Sequence, residues 1–194
     1  MYSLIYLITK KIYIILNYLL QKLWYAPVFK ARCKEVGRAL SLPMGIPFIA
    51  GHAQITIGDN VILYKLSIGT GAVIDEPTLS IGNNTIIKGK STIGPNLKIS
   101  IGRNCTIEDN FLALDTDGHP LNPQLRKERK PVHRSMLHET TIGDHVYIGR
   151  NVSILKGVNV GNCAVIMPNT LVIKDIPENS IACGVPAKII ALSK

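Results

Sequence analysis

The chain has 194 residues, enough for one ordinary domain with room for an appendage. Hydrophobic residues make up 46% of it, with few aromatics and much Ile, Val and Leu, which excludes a disordered chain and favours strands over a helical bundle. Lys and Arg outnumber the acids 22 to 13, a formal charge of +9 that suits an anionic partner such as acidic lipid or a phosphate-bearing cofactor; no nucleic-acid motif accompanies it.

The opening stretch, MYSLIYLITKKIYIILNYLLQKLWYAPVF, reads as a helix within an N-terminal segment, residues 1–34. Lys10 and Lys11 cut its apolar run well short of the roughly 18–20 residues a spanning helix needs. A basic start and a small-residue cleavage site, the marks of a signal peptide, are missing. Ser3, Lys10, Asn17 and Gln21 fall on one helical stripe, with Lys11 and Lys22 at its edge, opposite a broad face of Ile, Leu and Tyr ending in Trp24 and Tyr25. Two readings fit: residues 1–26 lie in a bilayer interface, or they pack on a neighbouring subunit or cap a stack of repeats. Pro27 is expected to end the element.

From about Ile55 the text falls into lines of six headed by an aliphatic residue. Ile57, Leu63, Ile68, Ile74, Ile81, Ile87, Ile93, Ile99, Ile101, Ile107 and Ala113 head such lines; Ile142, Ile148, Ile154, Val160, Ile166 and Val172 follow without a slip. Helices do not repeat every six residues. This spacing marks a parallel β-helix, an all-β solenoid in which about three lines close one coil and stacking buries aliphatic columns. Gly and Asn in IGDN, IGNN and IGRN supply the turn residues that tolerate positive φ. Cys105 and Cys163 are expected in small buried repeat positions. With Cys33 and Cys183 they form no CxxC pair, so reduced core thiols are expected rather than a disulfide or a metal site. The slips at 74–81 and 99–101 are expected to absorb a corner or an extra residue. The large slip is a loop, residues 112–140, holding DTDGHPLNPQLRKERK and three of the five histidines. Loops this long are functional or disordered.

The stretch from Thr141 to Ile190, TIGDHVYIGRNVSILKGVNVGNCAVIMPNTLVIKDIPENSIACGVPAKII, resembles the C-terminal signature of the hexapeptide-repeat acyltransferases. The loop's DGHPLNPQLRKERK resembles the His-Pro segment of the sugar O-acetyltransferases in that family, and the apolar N-terminus is similar to enzymes that O-acetylate capsule or lipopolysaccharide sugars. The resemblance covers roughly Cys33 onward. It implies a left-handed β-helix domain over residues 35–194, assembled as a homotrimer, with acetyl-CoA in a groove between two protomers. It also implies His119 as the general base that takes the acceptor hydroxyl's proton, a task suited to an imidazole with a pKa near neutrality. Tyr147, Gly149, Arg150, Met167, Pro168, Lys174 and Lys188 match positions near the coenzyme, with backbone groups around Gly149, Met167 and Pro168 lining its arm.

Asp115 and Asp117 flank His119 and either orient its ring, bind acceptor hydroxyls, or simply form a turn. The family's acceptor-binding carboxylate, one coil earlier, falls here on Pro95 and Asn96, so Asp115, Asp117, Glu108 or Asp109 are the acids left to hold an acceptor. His145 stands where IGDN has Asn and reads as a turn residue; His133 and His138 read as solvated. No trio of histidines on adjacent coils suggests the zinc site of carbonic-anhydrase relatives, so no metal is expected. The expected activity is direct acetyl transfer to a sugar hydroxyl of a cell-surface polysaccharide or its lipid-linked precursor, in the cytoplasm at the membrane's inner face. A small soluble acceptor is the alternative, and a bare scaffold the non-enzymatic rival.

Overall fold

A computed structural model describes residues 2–71 and 73–192, with the side chains of Tyr2 and Ser3 outside the described residues. Three parallel sheets wrap into a triangular prism of about seven left-handed coils. The first sheet stacks Glu35–Val36, Gln54–Ile57, Thr78–Ile81, Lys98–Ile101, Thr140–Ile142 and Asn159–Val160. The second holds Ile62–Leu63, Ile86–Ile87, Thr106–Ile107, Tyr147–Ile148, Val165–Ile166 and Ser180–Cys183, closed by the antiparallel strand Lys188–Leu192. The third holds Phe48–Ala50, Leu66–Gly69, Ser91–Gly94, Leu112–Leu114, Ser153–Ile154 and Leu171–Val172.

The line-heading residues are the registered columns of the core. Ile57, Ile81, Ile101, Ile142 and Val160 stack in the first sheet, and Leu63, Ile87, Ile107, Ile148 and Ile166 in the second. All ten are buried. Each such side chain contributes roughly 1.5–3 kcal/mol on burial. The two small slips have different causes. Ile99 and Ile101 both point inward from one strand, Ile99 beneath a second column with Ile55 and Leu79. Ile74 heads no strand; it lies half-buried in the connection between Leu66–Gly69 and Thr78–Ile81.

The turn between the first and second sheets, the first corner, explains the IGDN text. Gly82 lies so close to the next coil that a Cβ there would meet the Arg103 nitrogen at 2.6 Å. The following polar side chain reaches down a coil, as Asn83 Oδ1 accepts the Asp59 N–H at 2.8 Å. The third residue adopts a left-handed φ, from 52° at Asn179 to 59° at His145. Asn60, Asn84 and Asn104 donate in series from one amide to the next, and Asn104 Nδ2 then meets His145 Nε2 at 3.4 Å. Cys163 occupies this same turn position, with φ 57°, and is exposed. The expectation that it fills a core position is corrected by one residue: Ala164 is the buried member of that coil, as Cys105 is of its own.

Pro27 does not end the N-terminal helix. The α-helix Tyr2–Leu20 continues through a π-helical turn, Gln21–Tyr25, into Ala26–Lys30. In the π turn the Ala26 N–H bonds to Gln21, so the widened turn makes room for a ring that would clash with a regular one. Phe29, buried completely, plugs the end of the prism. The helix is longer than the interrupted apolar run suggests. Leu4–Lys30, 27 residues of mean hydropathy 1.2, is long and apolar enough to cross a membrane by length and composition alone.

Candidate active site

The loop leaves the third corner, between third and first sheets, from Leu112–Leu114 and returns at Thr140–Ile142. Its outer residues 112–114 and 140 are thus strand, not loop. The two ends are stapled: the His138 N–H donates to the Asp115 carbonyl at 3.0 Å, and Thr140 Oγ1 to the Leu114 carbonyl at 2.9 Å. Inside, Asn122 caps the short helix Pro123–Lys127, and Val132 and Leu137 are buried. Arg126 donates to the carbonyls of Pro120 and Leu121, so its guanidinium holds the His-Pro turn rather than facing an anion. Lys127, Arg129 and Lys130 are exposed. His133 caps the turn Arg134–Met136, its Nδ1 accepting from the Ser135 N–H at 3.3 Å.

His119 stands exposed at the head of this loop. Its Nδ1 faces the Pro120 carbonyl oxygen at 3.4 Å. A proton on Nδ1 satisfies that oxygen and leaves the lone pair on Nε2, the tautomer a general base requires.

The flanking acids part company. Asp115 is fully buried, and its carboxylate accepts the backbone N–H groups of Asn96 at 2.8 Å and Leu97 at 2.7 Å. Burial pushes its carboxyl above the usual range, against the pull of those bonds. It clamps the coil below and touches neither ring nor solvent, which corrects the expectation that it serves in catalysis. Asp117 remains beside His119 at the surface, paired with Lys156 of the next coil. Lys156 is a residue sequence reasoning missed. The register Ala113 to Ile154 places residue 156 above residue 115 once the loop is set aside, and that alignment was the available signal. Asn96 cannot stand in for an acceptor-binding acid: its side chain accepts from the Gly71 N–H at 2.6 Å and donates to the Gly94 carbonyl at 3.0 Å. Glu108 is tied to Lys88 at 2.7 Å, a hydrogen bond that raises the lysine's pKa, and Asp109 holds the Gly89 N–H at 3.1 Å and Arg150 at 3.4 Å.

Most of the coenzyme-side residues gather elsewhere, on the second sheet and the second corner, which joins it to the third. Tyr147 and Met167 show 39% and 40% of their surface there, with Arg150 between them in chain order and exposed. Lys188 begins the strand paired with Ser180–Cys183. Lys174 is set apart, exposed after Leu171–Val172 at the third corner. The N–H groups of Gly149 and Met167 are spent on Ile166 and Ala182 of the neighbouring coils, and the Met167 carbonyl accepts from Thr170 Oγ1. Gly149 is glycine because a Cβ would meet the Pro168 nitrogen at 2.6 Å. With the N–H groups of Gly149 and Met167 already bonded, this edge presents apolar side-chain surface and cations. Farther down it, Met44, Lys65, Gly89, Lys90 and Asp109 line a depression of about 380 Å³. Among the described residues no hydrogen bond or ion pair joins the loop to this edge, and no group of three His, Cys, Asp or Glu side chains is placed to hold a metal.

No protein-family model matches the chain. It is 34% identical over 131 residues to the galactoside O-acetyltransferase of Escherichia coli, covering 64% of this chain and 62% of that one. A galactoside acetyltransferase solved in complex with coenzyme A superposes with a TM-score of 0.62 at 27% identity, covering 87% and 70% of the two chains. A polysialic-acid-specific acetyltransferase superposes with a TM-score of 0.61 at 25% identity, covering 83% of each. The chain spans only 54% and 62% of the length of the first curated relatives it matches.

Proposed function

We propose, from the premise that this chain belongs to the hexapeptide-repeat acyltransferase family, that it transfers acetyl from acetyl-CoA to a sugar hydroxyl of a cell-surface polysaccharide or its lipid-linked precursor. The observation that carries the reading is the exposed His119 at the head of the loop, its Nδ1 set against a carbonyl. Nε2 takes the proton of the acceptor hydroxyl as its oxygen bonds to the thioester carbonyl carbon. The C–S bond then breaks, and the imidazolium returns the proton to the leaving thiolate. Such a base is worth on the order of 10²–10⁴-fold. Asp117, tied to Lys156, sits next in line to steady the imidazolium or the acceptor.

Acetyl-CoA fits the second corner: Tyr147, Met167 and Pro168 present apolar surface to a pantetheine arm, while Arg150 and Lys188 suit its phosphates. Those residues and His119 leave one chain at different corners. A homotrimer, with one protomer's loop facing its neighbour's second corner, brings them together.

A small free galactoside is the second reading, favoured by the similarity to galactoside O-acetyltransferases. The committed side chain of Asn96 counts against it, since no acid stands one coil before the histidine. Purified protein is offered acetyl-CoA with polysaccharide, lipid-linked oligosaccharide or free galactoside, and products are weighed for a gain of one acetyl. We expect acetylated polymer or lipid-linked product, and a loss of about 10²–10⁴-fold for His119→Gln. Modification of the galactoside alone would move the acceptor to the second reading. Full activity in His119→Gln would remove the proposed base.

A further inference from the structure

We propose that the N-terminal helix is a docking surface for an anionic lipid bilayer, on which it lies flat without crossing. Its apolar side chains are exposed on every side: Ile5 and Ile8 by about half, Ile12 and Ile15 by 59% and 60%, and Tyr13 by 67%. An apolar surface this continuous belongs against lipid or protein, not water. Charge decides between them. Through residue 34 the chain carries Lys10, Lys11, Lys22, Lys30, Arg32 and Lys34 and no acid at all, the first being Glu35. A second copy of this helix would bring like charges together, whereas an anionic leaflet neutralises them.

The same structure argues against crossing. Asn17 Nδ2 donates to the Pro43 carbonyl at 3.2 Å, and Gln21 Oε1 accepts from Ser41 Oγ at 3.1 Å and from the Leu42 N–H at 3.0 Å. From Asn17 onward the helix is therefore fixed to the first coil. Before that point the apolar runs Leu4–Ile8 and Ile12–Leu16 are each only about 8 Å long, separated by the two lysines, against about 30 Å of hydrocarbon. A flat helix lets Lys10 and Lys11 reach the phosphates while the isoleucines sink below them. Tyr18 and Trp24, exposed by 54% and 61%, suit the same headgroup level. If the chain is trimeric, three such helices act on one surface and multiply a weak attachment.

The test is flotation of the full chain with vesicles of phosphatidylcholine, alone or with about a third phosphatidylglycerol, alongside light scattering without lipid. Wild type should float with the anionic vesicles and release as salt rises. Lys10→Gln with Lys11→Gln should lose about 25-fold in partitioning, about fivefold per charge. Ile12→Ser with Ile15→Ser should lose binding to both vesicle types. Both variants should keep the wild-type mass in solution, since these side chains are exposed on the folded chain. Wild type that stays with the soluble fraction overturns the proposal, as does binding unmoved by either variant. A fall in solution mass in the isoleucine variant also overturns it, by assigning the face to a neighbouring subunit. None of these outcomes bears on acetyl transfer, which is read separately.

Discussion

Two corners of the prism are built in opposite ways. At the first corner every coil turns through the same left-handed residue, and its N–H always bonds to the coil below: Asn84 to Asp59, Asn104 to Asn83, His145 to Arg103, Cys163 to Asp144. At the third corner the connections differ in length from coil to coil, and among the described residues no such amide series runs. In its place Asp115 reaches down to the Asn96 and Leu97 N–H groups, and Asn96 reaches down to that of Gly71. A corner that repeats one turn cannot swallow an insertion without breaking the series. A corner closed by individual side chains can, and that is where the chain pays out the loop that carries His119.

The third corner's clamp should be the easier to break. Asp115→Ala leaves the N–H groups of Asn96 and Leu97 buried without acceptors, at about 1–3 kcal/mol each. We expect the urea midpoint to fall accordingly, with activity per folded molecule largely kept because Asp115 does not touch the ring. Loss of turnover in the folded variant would return Asp115 to catalysis. Its titration sharpens the point. Burial holds the folded carboxyl above its ordinary value of 3.8, so the folded chain binds that proton more tightly than the unfolded one. The group's stabilising contribution is therefore full below 3.8 and declines as pH rises through the folded value. The margin of wild type over Asp115→Asn in urea should shrink over that acid range. A margin that grows there would reverse the direction of the shift.

The first corner should resist more. Asn84→Val puts a β-branched residue at φ 58° and cuts the amide series on both sides, donor from Asn60 and acceptor at Asn104. Left-handed backbone costs roughly 1–2 kcal/mol for an ordinary residue, more for a branched one. We expect a loss of about 2 kcal/mol by urea unfolding, with Asn84→Gly much milder. Equal losses in the two variants would mean that the amides, not the backbone, hold this corner.

This contrast also governs how far the sequence could be read. The aliphatic columns were legible because coil stacking imposes a fixed period, and so was the turn role of His145, which keeps the place of an asparagine. The burial of Asp115 was within reach: Phe111, Ala113 and Asp115 alternate inward along one strand, a period-two signal that runs past the end of the six-residue beat. The exposed place of Cys163 was legible as well: Gly161 and Asn162 precede it as Gly82 and Asn83 precede Asn84, and the expectation missed that phase by one residue. The helix beyond Pro27 rests on a π turn, which depends on hydrogen bonding that no residue pattern announces. Lys156 could be found only by aligning strands across the loop.

Lys156 makes the smallest and most discriminating test of the third corner. Its ammonium pairs with Asp117 from the following coil, both side chains partly exposed at 25% and 32%. If the pair holds the His119 turn in place, Lys156→Met should lower kcat by about three- to tenfold, in keeping with a partly exposed ion pair, and leave KM for acetyl-CoA unmoved. Lys156→Arg should restore most of the rate. Salt supplies a further readout: it screens the pair, so the wild-type rate should fall with rising ionic strength toward that of Lys156→Met, which itself should stay flat. A raised KM for acetyl-CoA with kcat intact would instead place Lys156 on the coenzyme. Identical salt profiles in the two proteins would show that the ion pair does not position the loop.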